Sequence, residues 1–200
     1  CARLRVDVLW PVFDGELEPL VAARERFTPK GIDVLGCDVE TVELCLDKGR
    51  FLERLGKTGL VPPAEIVRSA AELEAAAKAF GYPHQPVAVK PTRGTGGRGF
   101  HILDAGYESV RGFFDERPDS MRCDLATAAA ALEARPATTG TDVLVMPYVS
   151  GQEFGCDVLA DGGDVLACVT RRKQPPIREG MHTRIVVAED PAAAPPSRSS

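Results

Sequence analysis

The alternation of apolar and polar residues divides the chain into short strands and amphipathic helices. Leu4 to Trp10 reads as a strand that Pro11 ends, while Leu17, Leu20, Val21 and Arg24 fall at helical spacing and predict a helix from about Glu16 to Phe27. Gly31 to Leu35 is a second short strand. The β-α-β order predicts a parallel pair, so residues 1–46 have the character of the latter part of a Rossmann-like unit. Asp47 is placed as the N-cap of a helix that closes on Gly59, and Glu65 to Arg68 forms the next strand. Ser69 then caps a helix from Ala70 to Phe80 that carries Leu73, Ala76, Ala77 and Phe80 on one side, and Gly81 ends it.

The pattern then tightens. An apolar run from Pro86 to Val89 closes on Lys90, a glycine-rich loop holds Gly94, Thr95, Gly96, Gly97, Arg98 and Gly99, and a second apolar run covers Phe100 to Leu103. Strand, loop and strand make a hairpin flap. Tyr107 to Phe114 and Leu125 to Glu133 are helical, and Val143 to Val149 is an apolar strand that Pro147 ends. Glu153 to Ala160 and Val165 to Val169 flank Asp161, Gly162, Gly163 and Asp164, a tight hairpin signal, and His182 to Val187 is one more strand. Residues 191–200, rich in Pro, Ala and Ser, have almost nothing to bury and are expected to be disordered.

Composition narrows the possibilities. Two hundred residues, 44% hydrophobic and 26% charged, suffice for one or two units with a real core. A net charge of −5 argues against a general nucleic-acid surface, so an anion site must be made by local groups. No apolar stretch reaches the roughly 18 residues of a membrane helix. Arg3, Arg5 and Asp7 interrupt the only early segment that could resemble a secretory signal. Neither a nucleic acid nor a membrane is an expected partner, and the expected setting is the cytoplasm. The six cysteines lack metal spacing and are expected to be free. His84, His101 and His182 are read as ordinary, satisfied histidines. The start at Cys1 and the low-complexity end lead to the expectation of a piece of a longer protein.

The glycine loop carries the candidate chemistry. Glycines let successive backbone N–H groups converge on an anion, and Lys90 and Arg98 add charge. Gly94 to Gly99 also matches the dinucleotide fingerprint, which requires a helix directly after Gly99; the alternatives are a phosphate flap or a plain turn. Lys48 sits at a helix N-terminus, where the dipole favours anions. The strand end at Met146, Tyr148 and Val149 is suited to adenine, and Glu153 to ribose hydroxyls. The plain alternatives are a solvated helix-end lysine for Lys48, a surface charge for Arg171 and a sheet-edge carboxylate for Glu153. Lys90, closing an apolar strand, needs either an anion or a path to solvent.

Taken in order, Asp47-Lys48 before a helix, Val89-Lys90-Pro91 before Gly94 to Gly99, and Tyr148, Val149, Gly151 and Glu153 before a hairpin resemble the ATP-grasp enzymes. Within that superfamily they look most like the carbamoyl-phosphate synthase large-subunit branch. The resemblance implies an α/β (α+β) chain: the end of a Rossmann-like pre-ATP-grasp domain (1–46), then an incomplete ATP-grasp domain (47–190). A small subdomain would cover about 60–115, and a second would begin over about 135–190. It also implies that Lys48, Lys90 and the flap hold ATP phosphates, that Met146 to Val149 face adenine, that Glu153 binds ribose, and that Arg171 acts on the phosphate or substrate side. The implied activity joins a carboxylate to an amine or similar nucleophile through an acyl phosphate, with ATP and Mg2+. Two departures stand out. Met146 replaces a glutamate found in many relatives, and the family's metal-binding Glu and Glu-x-Asn are absent, since Glu189 and Asp190 have neither the spacing nor the setting. The chain alone is therefore expected to be inactive or nearly so. A non-catalytic nucleotide-binding or scaffold protein of the same fold is the rival.

Overall fold

A computed structural model of the chain describes residues 4–94, 96–107, 121–135, 142–173 and 185–187. Thr95, most of the 107–114 helix, residues 182–184 of the last strand and the 191–200 tail lie outside them. The chain divides into two compact units, Cys1–Tyr148 and Val149–Ser200.

The first unit opens with strand β1 (Val8–Leu9), helix α1 (Asp14–Ala22) and strand β2 (Asp33–Val34), and β1 pairs in parallel with β2. The β-α-β order is as the apolar pattern predicts, but α1 stops five residues short of Phe27. The cause is Arg24. It leaves the helix for a 3-10 turn, where its guanidinium donates to the carbonyls of Val34 (3.2 Å), Gly36 (2.7 Å) and Cys37 (3.0 Å). This side chain therefore ties the turn to β2 instead of lying on a helix face. Helix α2 (Val39–Leu46) was not anticipated. Asp38 caps it, accepting from the Thr41 N–H and hydroxyl at 2.8 Å each. Val21, Ile32, Val34 and Val42 are buried in this region.

Helix α3 (Lys48–Leu55) follows at once, with Asp47 as its N-cap, and Gly59 closes the segment in the left-handed region at φ 72°. Strand β3 (Glu65–Val67) and helix α4 (Ala70–Ala79, capped by Ser69) fall where the sequence placed them. Strands β4 (Val87–Pro91) and β5 (His101–Leu103) form an antiparallel hairpin around the glycine loop. A strand, not a helix, follows Gly99, which removes the dinucleotide alternative. Strand β6 (Arg122–Cys123), helix α5 (Leu125–Glu133) and strand β7 (Val143–Pro147) complete the unit.

The five strands are ordered β3-β7-β4-β5-β6, antiparallel except for β5 with β6. Strand β7 thus enters between β3 and β4. Side-chain alternation then gives the sheet two different faces. Val67, Val87, Val89, Leu103 and Val145 turn to α4 and α5, where Leu73, Ala76, Ala77, Leu125 and Ala129 complete the main core. Ala88, Leu144 and Met146 turn the other way and pack with Leu52 of α3, Phe100 and Tyr148. Lys90, opposite Leu144 in the register, belongs to this second face.

The second unit is built on the hairpin of β8 (Phe154–Asp161) and β9 (Asp164–Lys173), with β10 (Ile185–Val187) antiparallel to β9. Its turn is Gly162-Gly163, with φ values of 57° and 91°, a geometry that the Asp-Gly-Gly-Asp signal predicts. No helix among the described residues is long and apolar enough to cross a membrane.

Candidate phosphate site

The site is built at the end of β4, on the face of the sheet that α3 covers. Asp47 fixes α3 there. One of its carboxylate oxygens accepts from the Gly49 (3.0 Å) and Arg50 (3.2 Å) N–H groups, and the other meets Arg93 Nε at 3.3 Å. Asp47 and Arg93 also form a bridge between the two backbones, and the Lys48 N–H donates to the Thr92 carbonyl at 2.8 Å. The helix start is in this way stitched to the strand that leads into the flap. Partial burial works to raise the Asp47 pKa, but the hydrogen bonds from Arg50, Arg93 and Gly49 and the Arg93 charge outweigh it and hold the carboxyl below the usual 3.8.

Lys48 occupies the first turn of α3 and donates from Nζ to the carbonyl of Gly94, the first flap glycine, at 2.7 Å. Lys90 is half-buried on β4. Burial first, and the Lys48 charge second, push its pKa down. Among the described residues, the Lys90 ammonium has no hydrogen-bond or ion-pair partner. The two cations are thus close enough for the Lys48 charge to act on Lys90.

The flap begins at the Gly94 carbonyl that Lys48 holds. Gly94, Gly96, Gly97 and Gly99 all have positive φ, at 136°, 65°, 73° and 75°. Gly99 has a second requirement. A Cβ there would lie 2.8 and 2.9 Å from Pro91 Cγ and Cδ, so the two ends of the flap meet only because this residue has no side chain. Arg98 is exposed at the flap tip. Thr95 lies outside the described residues.

Met146 is buried beside Ala88, across from which it pairs, and Tyr148 packs on the same cluster. The Tyr148 N–H donates to the Pro86 carbonyl at 3.2 Å, so that main-chain donor is already engaged.

The remaining predicted residues belong to the second unit. Val149 opens it and is exposed. Glu153 pairs with Lys173 Nζ, and the two strands are further joined there by a Lys173 N–H to Glu153 carbonyl bond of 3.0 Å. Arg171 donates from Nη2 to Asp157 at 2.6 Å, and its Nε lies 2.5 Å from the other carboxylate oxygen without hydrogen-bond alignment. The four charges share one face of the hairpin, at alternate positions. Asp157 and Lys173 were missed from sequence, although hairpin register pairs Gly155 with Arg171 and so could have signalled the cluster. Among the described residues no three His, Cys, Asp or Glu side chains are grouped to hold a metal ion. Asp47, the acid nearest the lysines in sequence, is committed to the helix cap and Arg93, so the described residues do not fit a magnesium site.

Comparison with known proteins places this architecture. No family model matches the chain. The carbamoyl phosphate synthase large chain of Thermomicrobium roseum is 31% identical over 200 residues, covering 98% of this chain but 16% of that protein. Among solved structures, D-alanyl-alanine synthetase A from Vibrio cholerae superposes with a TM-score of 0.60 at 19% identity, over 92% of this chain and 53% of that one. The VanG D-Ala:D-Ser ligase from Enterococcus faecalis gives 0.57 at 24%, over 90% and 49%. The biotin carboxylase domain of Hydrogenobacter thermophilus 2-oxoglutarate carboxylase, solved with MgADP and bicarbonate, gives 0.58 at 24%, over 88% and 37%. The chain thus shares the mixed α/β fold of these solved structures, and it spans about half or less of the length of these relatives.

Proposed function

We propose that this chain forms the nucleotide grip of an ATP-grasp ligase related to the carbamoyl-phosphate synthase large subunit. The observation that carries the proposal is the pair of lysines at the entrance of the flap. A half-buried Lys90 without a partner among the described residues, beside Lys48, is an unfavourable arrangement that a polyphosphate between the two ammonium groups would relieve. The N-terminal N–H groups of α3 and the flap backbone would add donors to the same anion. Met146 and Tyr148 would form the wall for adenine. Glu153 would take the ribose hydroxyls after leaving Lys173, and Arg171 would face the phosphate or substrate side. Fold likeness to enzymes whose names include ligases and a carboxylase supports the same assignment.

In the whole protein, a carboxylate oxygen of a small acid would attack the γ-phosphorus of ATP. The bond from that phosphorus to the bridging oxygen breaks, ADP leaves, and an acyl phosphate forms. An amine or similar nucleophile then attacks the acyl carbon, inorganic phosphate departs, and the nucleophile loses its proton to solvent or a base. The residues described here would bind and orient the triphosphate, balance part of its charge and exclude water beneath the flap. Magnesium would have to be held by groups other than those described, so no step is assigned to it.

The test is thermal melting with and without ATP. Ligand at ~100 times Kd stabilises by about 2.7 kcal/mol, which for a chain of this size is a rise of roughly 5–10 °C. Lys90→Ala or Lys48→Ala removes a charge-assisted contact worth about 1.5–3 kcal/mol, equivalent to roughly 10- to 150-fold weaker binding. ATP stabilisation that survives both substitutions would refute the site.

A further inference from the structure

The register of the β8–β9 hairpin brings two cysteines together. Cys156 pairs with Thr170 and Val158 with Cys168, so the four side chains share one face, and Cys156 and Cys168 are diagonal neighbours on it. The irregularity in the pairing comes only after Leu159. We propose that Cys156 and Cys168 are a reversible oxidation site, at which a small-molecule disulfide converts the two thiols into a disulfide that clips β8 to β9. The inference does not depend on the proposed nucleotide function.

Contact is the first argument. Cys156 Sγ lies 3.8 Å from Thr170 Oγ1, which fixes the direction of that side chain across the strands. Cys168, two residues back along β9, donates a hydrogen bond from its thiol to the Cys156 sulfur. Both are reduced thiols, as are Cys37, Cys45 and Cys123, which lie elsewhere in the chain. Two sulfurs already in hydrogen-bond contact need side-chain rotation, not refolding, to bond. The backbone opposes this in part. Diagonal Cα atoms on neighbouring strands stand roughly 7–8 Å apart, a little beyond the ~4.4–6.8 Å that disulfides prefer, so the clip must draw the strands together. That opposition makes the bond reversible. A strained, exposed disulfide is reduced more readily than a structural one, so it stays open in a reducing medium and closes when the disulfide fraction rises.

Exposure and acidity set the order of events. Cys156 is exposed, whereas Cys168 is half-buried. Removal from water first, then the Cys156 charge and hydrogen bond, then the Asp157 charge, push the Cys168 pKa up, so that thiol keeps its proton. Cys156 therefore reacts first. As the thiolate it attacks one sulfur of the oxidant, whose S–S bond breaks; one small thiolate departs and takes up the proton that Cys156 gave to solvent. Cys168 then attacks the Cys156 sulfur of the mixed disulfide, and its proton passes to the second departing thiolate. The chain loses two hydrogens and two electrons in total, and the oxidant becomes two thiols.

The probe is glutathione disulfide, equilibrated with reduced glutathione at a series of ratios against the folded 200-residue chain. Alkylation stops the exchange, and digestion at aspartate, which cuts between the two cysteines at Asp157, Asp161 and Asp164, prepares the chain for mass spectrometry. The expected product is one link between the Cys156 and Cys168 peptides, two hydrogens lighter, which reopens as reduced glutathione is raised. Cys168→Ser should stop the reaction at its first step and hold glutathione on Cys156. Cys156→Ser should leave Cys168 largely unmodified. If Cys156 and Cys168 carry only glutathione, or remain alkylated thiols at the most oxidising ratio, the proposal is overturned. A link that joins either of them to Cys37 or Cys45 instead, or that persists at the most reducing ratio, also overturns it. The wild-type map decides the matter even if a variant fails to fold.

Discussion

Replacing Gly99 and Gly96 by alanine separates the two reasons for glycine in the flap. Both residues have similar left-handed φ values, 75° and 65°, so a Cβ imposes the same backbone strain at each, about 1–2 kcal/mol. Their surroundings differ. At Gly96 the nearest atom to a new Cβ is Arg98 Nη1, 4.0 Å away at the end of a flexible side chain. At Gly99 the Cβ falls 2.8 Å from Pro91 Cγ and 2.9 Å from Cδ, well inside the ~3.5–4.0 Å of a comfortable carbon contact. Pro91 is the last residue of β4, and its ring cannot rotate away. Relief requires the base of the hairpin to spread, at an overpacking cost of about 1–3 kcal/mol. Gly96→Ala should therefore lose about 1–2 kcal/mol and Gly99→Ala about 2–5 kcal/mol, with the excess felt in β5. Urea unfolding followed by circular dichroism measures the totals, and amide exchange at Ile102 and Leu103 locates the excess. Equal losses in the two variants, with unchanged exchange in β5, would refute the close approach as a design constraint.

Two titrating groups in the site make stability rise with pH, in different ranges and for different reasons. The Lys90 pKa is lowered in the fold, so between that value and the unfolded 10.5 the unfolded chain holds more protons and stability rises with pH. Lys90→Met should be more stable than the parent without ligand at pH 7 and should lack this slope; urea midpoints at pH 7 and pH 10 that rise equally in both proteins would count against it. The Asp47 pKa is also lowered, but for a carboxyl this contributes stability that is complete above the unfolded 3.8 and is lost as pH falls through the folded value. Asp47→Ala should lose about 1–2 kcal/mol at pH 7, with the difference closing in acid, as read from urea midpoints across that range.

What the sequence conveyed was mostly local chemistry. Asp47, Ser69 and Gly59 cap or close their helices as their side chains dictate, and the glycine loop and Gly162-Gly163 turn between strands as their conformational freedom allows. Helix α2 went unseen because its β-branched Val39, Thr41 and Val42 blur the helical period, although Asp38 with Thr41 was a legible cap. Long-range features were hidden for a different reason. The insertion of β7 between β3 and β4 depends on strand order, which periodicity does not encode, and it alone puts Met146 and Leu144 on the face of Lys90. Arg24 shows the converse error: spacing placed it on a helix, whereas three carbonyls beyond the turn decided its position.

The two faces of the sheet separate Lys90 from His101 although both sit beside Val89. Val89 and His101 turn toward the helices. Lys90 turns toward α3, where a second cation already stands at a helix N-terminus. On the proposed function, an anion arriving there does more than neutralise charge. It competes with the Gly94 carbonyl for Lys48, and in taking that ammonium it releases the contact that holds the entrance of the flap to α3. Nucleotide binding and flap position would then be linked through one hydrogen bond. Lys48→Met should therefore loosen the flap even without ATP, and faster amide exchange at Gly96 and Gly97 in that variant is the result expected. Unchanged exchange would show that the lysine binds phosphate without governing the flap.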